Sequence, residues 1–196
     1  MPARIKIAEH QGTYFITFTC FNWLPLIQLT KAYDSVYKWF DTLVKNGHYI
    51  LGYVIMPNHM HVLISFKNTG QSINTIIGNG KRFMAYEIVK RLKTQGEIML
   101  LTNLEVAVSN KDKLRSKRHE VWENSFDWKE CNSNLFIEQK LNYIHLNPCH
   151  GKWNLSITPE DYEHSSAKFY ICEKQGVYPV TNYLVLDDLD FSNNVE

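Results

Sequence analysis

The chain has 196 residues, 44% of them hydrophobic and 13% aromatic, and a formal net charge of +1. That is apolar material for one sizeable domain and too much for a disordered chain. No apolar run reaches the roughly 18 residues of a membrane span, the opening MPARIKIAEH lacks the apolar stretch of a signal peptide, and Cys20, Cys131, Cys149 and Cys172 form no CxxC pair, so a reduced, cytoplasmic protein is expected.

TYFITFTCF (13–21) alternates and is rich in aromatic and β-branched residues, the pattern of a strand. Tyr14, Ile16, Phe18 and Cys20 point one way; Phe15, Thr17, Thr19 and Phe21 point the other. The stretch 31–47 reads as a helix with Val36, Phe40 and Leu43 on its apolar stripe and Gly47 as its stop. YILGYVIM (49–56) and HMHVLISF (59–66) read as strands, joined by the tight turn Pro57–Asn58 into an antiparallel hairpin.

A long helix is predicted over 71–96, with Ile73, Ile76 and Ile77, then Phe83, Tyr86 and Val89, at helical spacing; Gly78 and Gly80 weaken its middle. Residues 97–118 suit a short helix feeding a basic loop, and HEVWEN (119–124) suits a short fourth strand. NLFIEQKLNYIHLN (134–147) is a helix that Ser133 or Asn134 caps and Pro148 ends. This order predicts an α+β, ferredoxin-like antiparallel sheet: helices cover one face, and the last helix lies near the open face. The domain is drawn over 1–172, with 173–196 as a tail and not an independent domain.

Charge is uneven. Residues 81–118 carry ten basic residues against four acids in a near-neutral chain. Such a segment is either a solvated surface or a face that binds a polyanion. On the second reading Lys81, Arg82, Lys90, Arg91, Lys111, Lys113, Arg115, Lys117 and Arg118 contact a nucleic-acid backbone. Tyr86, Trp122 and Trp128 are candidates to stack on bases or to fill the core.

Residues 59–66 raise the sharpest question. Strand side chains alternate, so His59, His61, Leu63 and Ser65 share one face, and Met60, Val62, Ile64 and Phe66 share the other. The second set is wholly apolar and belongs to the helix-packed core, which turns both histidines to the open side. Alternate residues lie roughly 7 Å apart at the backbone, so the two imidazoles can converge on one ion. A bare HxH equally suits two histidines bonded to backbone or carboxylate.

On the last helix Ile137, Leu141 and Ile144 make the packing stripe, while Tyr143 and Asn147, four apart, share another face with Phe136 and Gln139. Two neutral histidines and an amide oxygen are a poor fit to closed structural zinc and suit Mg2+ or Mn2+ with open positions.

GYVIMPNHMHVLI, followed some 80 residues later by FIEQKLNYIHLNPCHGKW, resembles the HUH-type single-tyrosine transposases. The nearest branch is the REP-associated tyrosine transposases, relatives of the small insertion-sequence transposases that move single-stranded DNA. The resemblance spans roughly residues 10–170, and DYEHSSAKFY (161–170) is similar to a segment that follows the tyrosine helix in such proteins.

The resemblance implies that His59 and His61 are a metal-ligand pair, that Tyr143 is the nucleophile, and that Asn147 takes the third-ligand position, where related transposases often use glutamine. His145, about 200° around the helix from Tyr143, is no ligand. It implies a bacterial, nucleoid-associated enzyme that cuts and joins single-stranded or hairpin DNA through a 5′-phosphotyrosine link, with a divalent metal, Mg2+ or Mn2+, on the phosphate oxygens. One departure is NPCHGKW, where the family more often has a basic residue soon after the proline; His150 and Lys152 stand there instead.

Two rivals remain at this stage. A histidine-triad hydrolase needs a third alternating histidine, and position 63 is leucine. A domesticated hairpin-DNA-binding protein would keep the fold without cleaving. A homodimer is neither required nor excluded.

Overall fold

The computed structural model of the protein describes residues 6–123, 126–151 and 153–188. Among them four strands form one sheet: β1 (Gly12–Thr19), β2 (Tyr49–Ile55), β3 (His59–Phe66) and β4 (Asp127–Glu130). The order is β2-β3-β1-β4, and every pairing is antiparallel. Seven α-helices accompany them: α1 (Leu26–Thr30), α2 (Tyr33–Lys45), α3 (Ile73–Gln95), α4 (Ile98–Val106), α5 (Asn110–Lys113), α6 (Asn134–Leu146) and α7 (Ala167–Cys172). The strand order and the split strand–helix–strand connection are those of the expected ferredoxin-like sheet.

The two sides of the sheet build two cores. On one side Ile16, Phe18, Met60, Val62 and Ile64 pack with Val36, Phe40 and Leu43 of α2 and Ile77, Met84 and Ile88 of α3. On the other, Phe15, Leu51, Val54 and Leu63 pack with Ile137, Leu141 and Ile144 of α6. The helix carrying Tyr143 therefore lies directly on the second face and covers it.

Two glycines permit these close approaches. A Cβ at Gly52 would stand 2.4 Å from Leu141 Cδ2, so α6 settles against bare backbone where β2 bulges. A Cβ at Gly80 would meet the Trp39 indole, its nearest atom 2.3 Å away. The second glycine, whatever it costs α3 in helix propensity, admits α2 against it.

Other boundaries shift for physical reasons. α3 begins at Ser72, whose hydroxyl accepts from the Thr75 amide, and ends at the left-handed Gly96. Its buried stripe is Ile73, Ile77, Met84, Ile88 and Leu92, which leaves Phe83 and Tyr86 exposed. The stripe runs through Gly80, a position that carries no apolar signal. The predicted helix over 31–47 is α2, and the short α1 stands before it, set apart by the left-handed Lys31.

Among the described residues the fourth strand is not at 119–123. Trp122 makes only an isolated bridge to Cys20, and the ladder partner of β1 is Asp127–Glu130. Ser133 caps α6, accepting from the Phe136 amide.

The segment after α7 belongs to both cores. Thr181 N–H donates to Ile50 O, and Ile55 N–H donates to His164 O, so two stretches of C-terminal chain cover the β2 edge. Tyr178 and Val180 join the first core, Tyr183 and Leu186 the second.

Candidate nuclease site and basic groove

His59 and His61 stand on the α6 side of β3, their ring centroids 4.9 Å apart. Thr17 is the register partner of His61 on β1, and its hydroxyl lies 2.8 Å from His61 Nδ1. Asn58, fully buried, donates through Nδ2 to Trp23 O, which fixes its amide so that Oδ1 accepts from His59 Nδ1–H at 2.7 Å. Both rings are thus held by a neighbour on Nδ1, leaving Nε2 for whatever sits in front of them.

Burial pushes the His61 imidazole down to about 3, with smaller help from the His59 and Lys140 charges. Burial also lowers His59, against the contact with Asn147. Both rings are neutral near pH 7, and neutral imidazoles bind metals. His61 Nε2 is buried with no hydrogen-bond partner. A neutral His59 that donates from Nδ1 presents a lone pair at Nε2, and that atom lies 3.2 Å from Asn147 Oδ1, another acceptor.

Two acceptors in contact beside a buried ring nitrogen with no partner are an arrangement that a cation would satisfy. Neighbouring ligands in an octahedral shell with bonds of about 2.1 Å lie about 3 Å apart, so the 3.2 Å between His59 Nε2 and Asn147 Oδ1 suits two adjacent ligands of a hard divalent ion. Among the described residues no cluster of three or more His, Cys, Asp or Glu could hold a metal. The set is two imidazoles and an amide.

Tyr143 is 52% exposed, and its ring lies edge-on to His61 at 5.1 Å and to Phe15 at 5.9 Å. The helical face that carries it also carries Lys140, whose Nζ lies 5.0 Å from the Phe15 ring centroid and 4.9 Å from that of Phe136. His145 points away: it is buried, with Nε2 2.9 Å from Ser166 Oγ.

Three residues of this site were missed in the sequence. Thr17 and Asn58 are small polar residues whose role exists only through strand register and a turn. Lys140 lies three residues before Tyr143, a spacing that puts both on one face and could have singled it out.

On the opposite side of the sheet lies a groove of about 1250 Å³. Lys81, Arg82, Lys90, Arg115, Lys117 and Arg118 line it, with Tyr86, Trp122 and Trp128 among its aromatic walls. Lys6, Lys93 and His119 join them. Lys117 also pairs with the buried Glu120, and Lys81 Nζ donates to Glu123 O.

Lys111 and Lys113 are exposed on α5 outside the groove lining. Arg91 is committed elsewhere: it bonds Asp34, Glu87 and the Thr30 and Lys31 carbonyls, tying α3 to α1 and α2. Of the two residues after Pro148 noted in the sequence, His150 is exposed and Lys152 lies outside the described residues.

No protein-family model and no curated protein matches the chain. Among solved structures it is similar to a REP-associated tyrosine transposase bound to a REP hairpin. The TM-score is 0.58 at 15% identity, covering 91% of this chain and 89% of that one. It also matches a transposase of Deinococcus radiodurans R1 with a TM-score of 0.35 at 12% identity, over 72% and 95% of the two chains. The first match shows a shared fold.

Proposed function

We propose that this chain, which has the fold of a REP-associated tyrosine transposase, cuts and rejoins single-stranded or hairpin DNA, with Tyr143 as nucleophile. One observation carries the reading. His59 Nε2 touches Asn147 Oδ1, and the ring of His61, whose buried Nε2 has no partner, lies 4.9 Å from that of His59 and 5.1 Å from that of half-exposed Tyr143. The solved transposase was bound to a REP hairpin, which supports DNA as the substrate.

In the reaction the Tyr143 phenolic oxygen attacks the scissile phosphorus. The new Oη–P bond forms as the bond to the 3′ oxygen breaks, and that oxygen leaves as a 3′-hydroxyl, the proton given up by the phenol balancing the one it takes. The 5′ end stays linked to the protein, so the phosphoester is conserved, and a second strand's 3′-hydroxyl can reverse the step. His59, His61 and Asn147 would hold Mg2+ or Mn2+, which supplies charge neutralisation at the phosphate oxygens.

The protein's own groups set the geometry. Thr17 and Asn58 orient the imidazoles. Phe15 and His61 flank the Tyr143 ring, and Lys140 places a positive charge on the approach of the phosphate. The basic groove binds flanking strand through phosphates, which makes affinity fall steeply with salt.

The test mixes purified protein with end-labelled hairpin and single-stranded oligonucleotides from the DNA flanking its gene, in Mg2+ or Mn2+. A denaturing gel should show a metal-dependent covalent band that disappears in Tyr143→Phe. A band that survives Tyr143→Phe overturns the nucleophile. Tight hairpin binding without a band identifies a domesticated DNA-binding protein.

A further inference from the structure

The groove and the histidines lie on opposite faces of one sheet, so a strand held in one must round the sheet end to reach the other. The end in question is the turn after β1. There Cys20 bridges Trp122, Phe21 N–H donates to Val121 O, and Asn22 N–H donates to Glu123 Oε1; Trp122 and Glu123 line the groove. The same turn touches the other face: Cys20 N–H donates to Asn58 O, and Asn58 Nδ2 donates to Trp23 O.

Trp23 occupies this corner. Its indole is 56% exposed, yet it meets His59 edge-on with centroids 5.7 Å apart. Large apolar rings are ordinarily well buried, as Trp39 and Trp122 are. The backbone of both Asn22 and Trp23 is left-handed, with φ of 50° and 56°. For non-glycine residues that conformation is unfavourable and persists only where surroundings impose it. Here main-chain bonds and Asn58 impose it, and the outcome is a solvent-facing indole beside a candidate metal ligand.

We propose that Trp23 is a nucleobase-stacking platform that seats the base next to the scissile phosphate as the strand passes from the groove to the histidine site. The proposal rests on the single-strand DNA reading above. An indole face takes any base, so Trp23 positions the strand without reading its sequence.

The experiment uses cleavage-inactive Tyr143→Phe protein with Trp23 intact, Trp23→Phe or Trp23→Ala. Binding of a short labelled single strand of mixed sequence is compared with binding of an equally long abasic strand, which has the phosphates and lacks the bases. Trp23→Ala should weaken the normal strand by about 5- to 150-fold, the range for one stacked base, and leave the abasic strand unchanged. Trp23→Phe should recover most of the loss. The turn is held by main-chain and Asn58 bonds that all three side chains leave in place.

Equal weakening of both strands, or of neither, overturns the platform, as does absence of binding by the protein with Trp23 intact. The Tyr143-dependent covalent band is scored separately in wild-type protein. Stacking without a band defeats the nuclease reading alone, and a band with no effect of Trp23 on binding defeats the platform alone.

Discussion

On β3, Met60, Val62, Ile64 and Phe66 meet the α2–α3 side, while His59, His61, Leu63 and Ser65 turn to the α6 side; all eight residues are buried. The first set stabilises the fold by leaving water, at about 1.5–3 kcal/mol for each large side chain. In the second set the same exclusion of water keeps two imidazoles neutral, and it leaves His61 Nε2 unpaired. Burial is alike on both faces, so the unsatisfied polar atom distinguishes a site from a core.

The largest effect should come from Tyr143→Phe. Without the phenolic oxygen no phosphotyrosine can form, so the covalent band should fall to background. The melting temperature should hold, because the ring is half exposed. A fall in both would place Tyr143 among the structural residues.

Next comes a direct contrast across β3. Ile64→Ala should cost about 2–5 kcal/mol in urea unfolding, as core truncations do. His61→Leu fills the same kind of space with an apolar side chain and removes an unpaired atom, so its cost should stay within about 1 kcal/mol even with Thr17 losing a partner. Equal costs would erase the distinction between the faces.

Asn58→Ala should be smaller and more specific. Both histidines remain, but Mn2+ titration should show affinity lowered by about 10–100-fold, the usual effect of losing a group that orients a ligand. Unchanged affinity would mean that the Asn58 contact does not set the His59 tautomer.

The smallest effect belongs to the first face. The Arg91 guanidinium beside Asp34 holds its carboxyl down to about 2, below the ordinary 3.8. A lowered carboxyl stabilises the fold above its unfolded pKa and loses that contribution as pH falls through the folded one. The Asp34 side chain is 47% exposed, so screening leaves less than about 1 kcal/mol. Asp34→Asn should therefore melt slightly lower than wild type at pH 6, and the gap should close between about pH 4 and pH 2.

Much of this arrangement could be read from spacing. Alternation alone put His59 and His61 opposite an apolar set, and helical spacing put Tyr143 and Asn147 on one face. What spacing could not supply is whatever depends on which strands become neighbours. Thr17 reaches His61 only because β1 pairs with β3 in that register, and Trp23 reaches His59 only through a left-handed turn that no residue pattern marks. β4 was missed because DWKE has no apolar alternation, whereas HEVWEN offered buried Val121 and Trp122 that serve the core without forming a ladder. Arg91 looked like any other cation of its segment; its commitment to Asp34 depends on the docking of α2.

The C-terminal cover of the sheet bears on the order of synthesis. Tyr143 emerges from the ribosome well before Tyr183 and Leu186, which pack in the α6-side core, and Tyr183 also donates from its hydroxyl to Glu138 of α6. Ile50, on a strand made early, waits for Thr181 to cover its carbonyl. A nascent chain therefore carries Tyr143 for some time on a helix not yet fully seated, and this face of the sheet reaches its final form only when those later packing residues arrive.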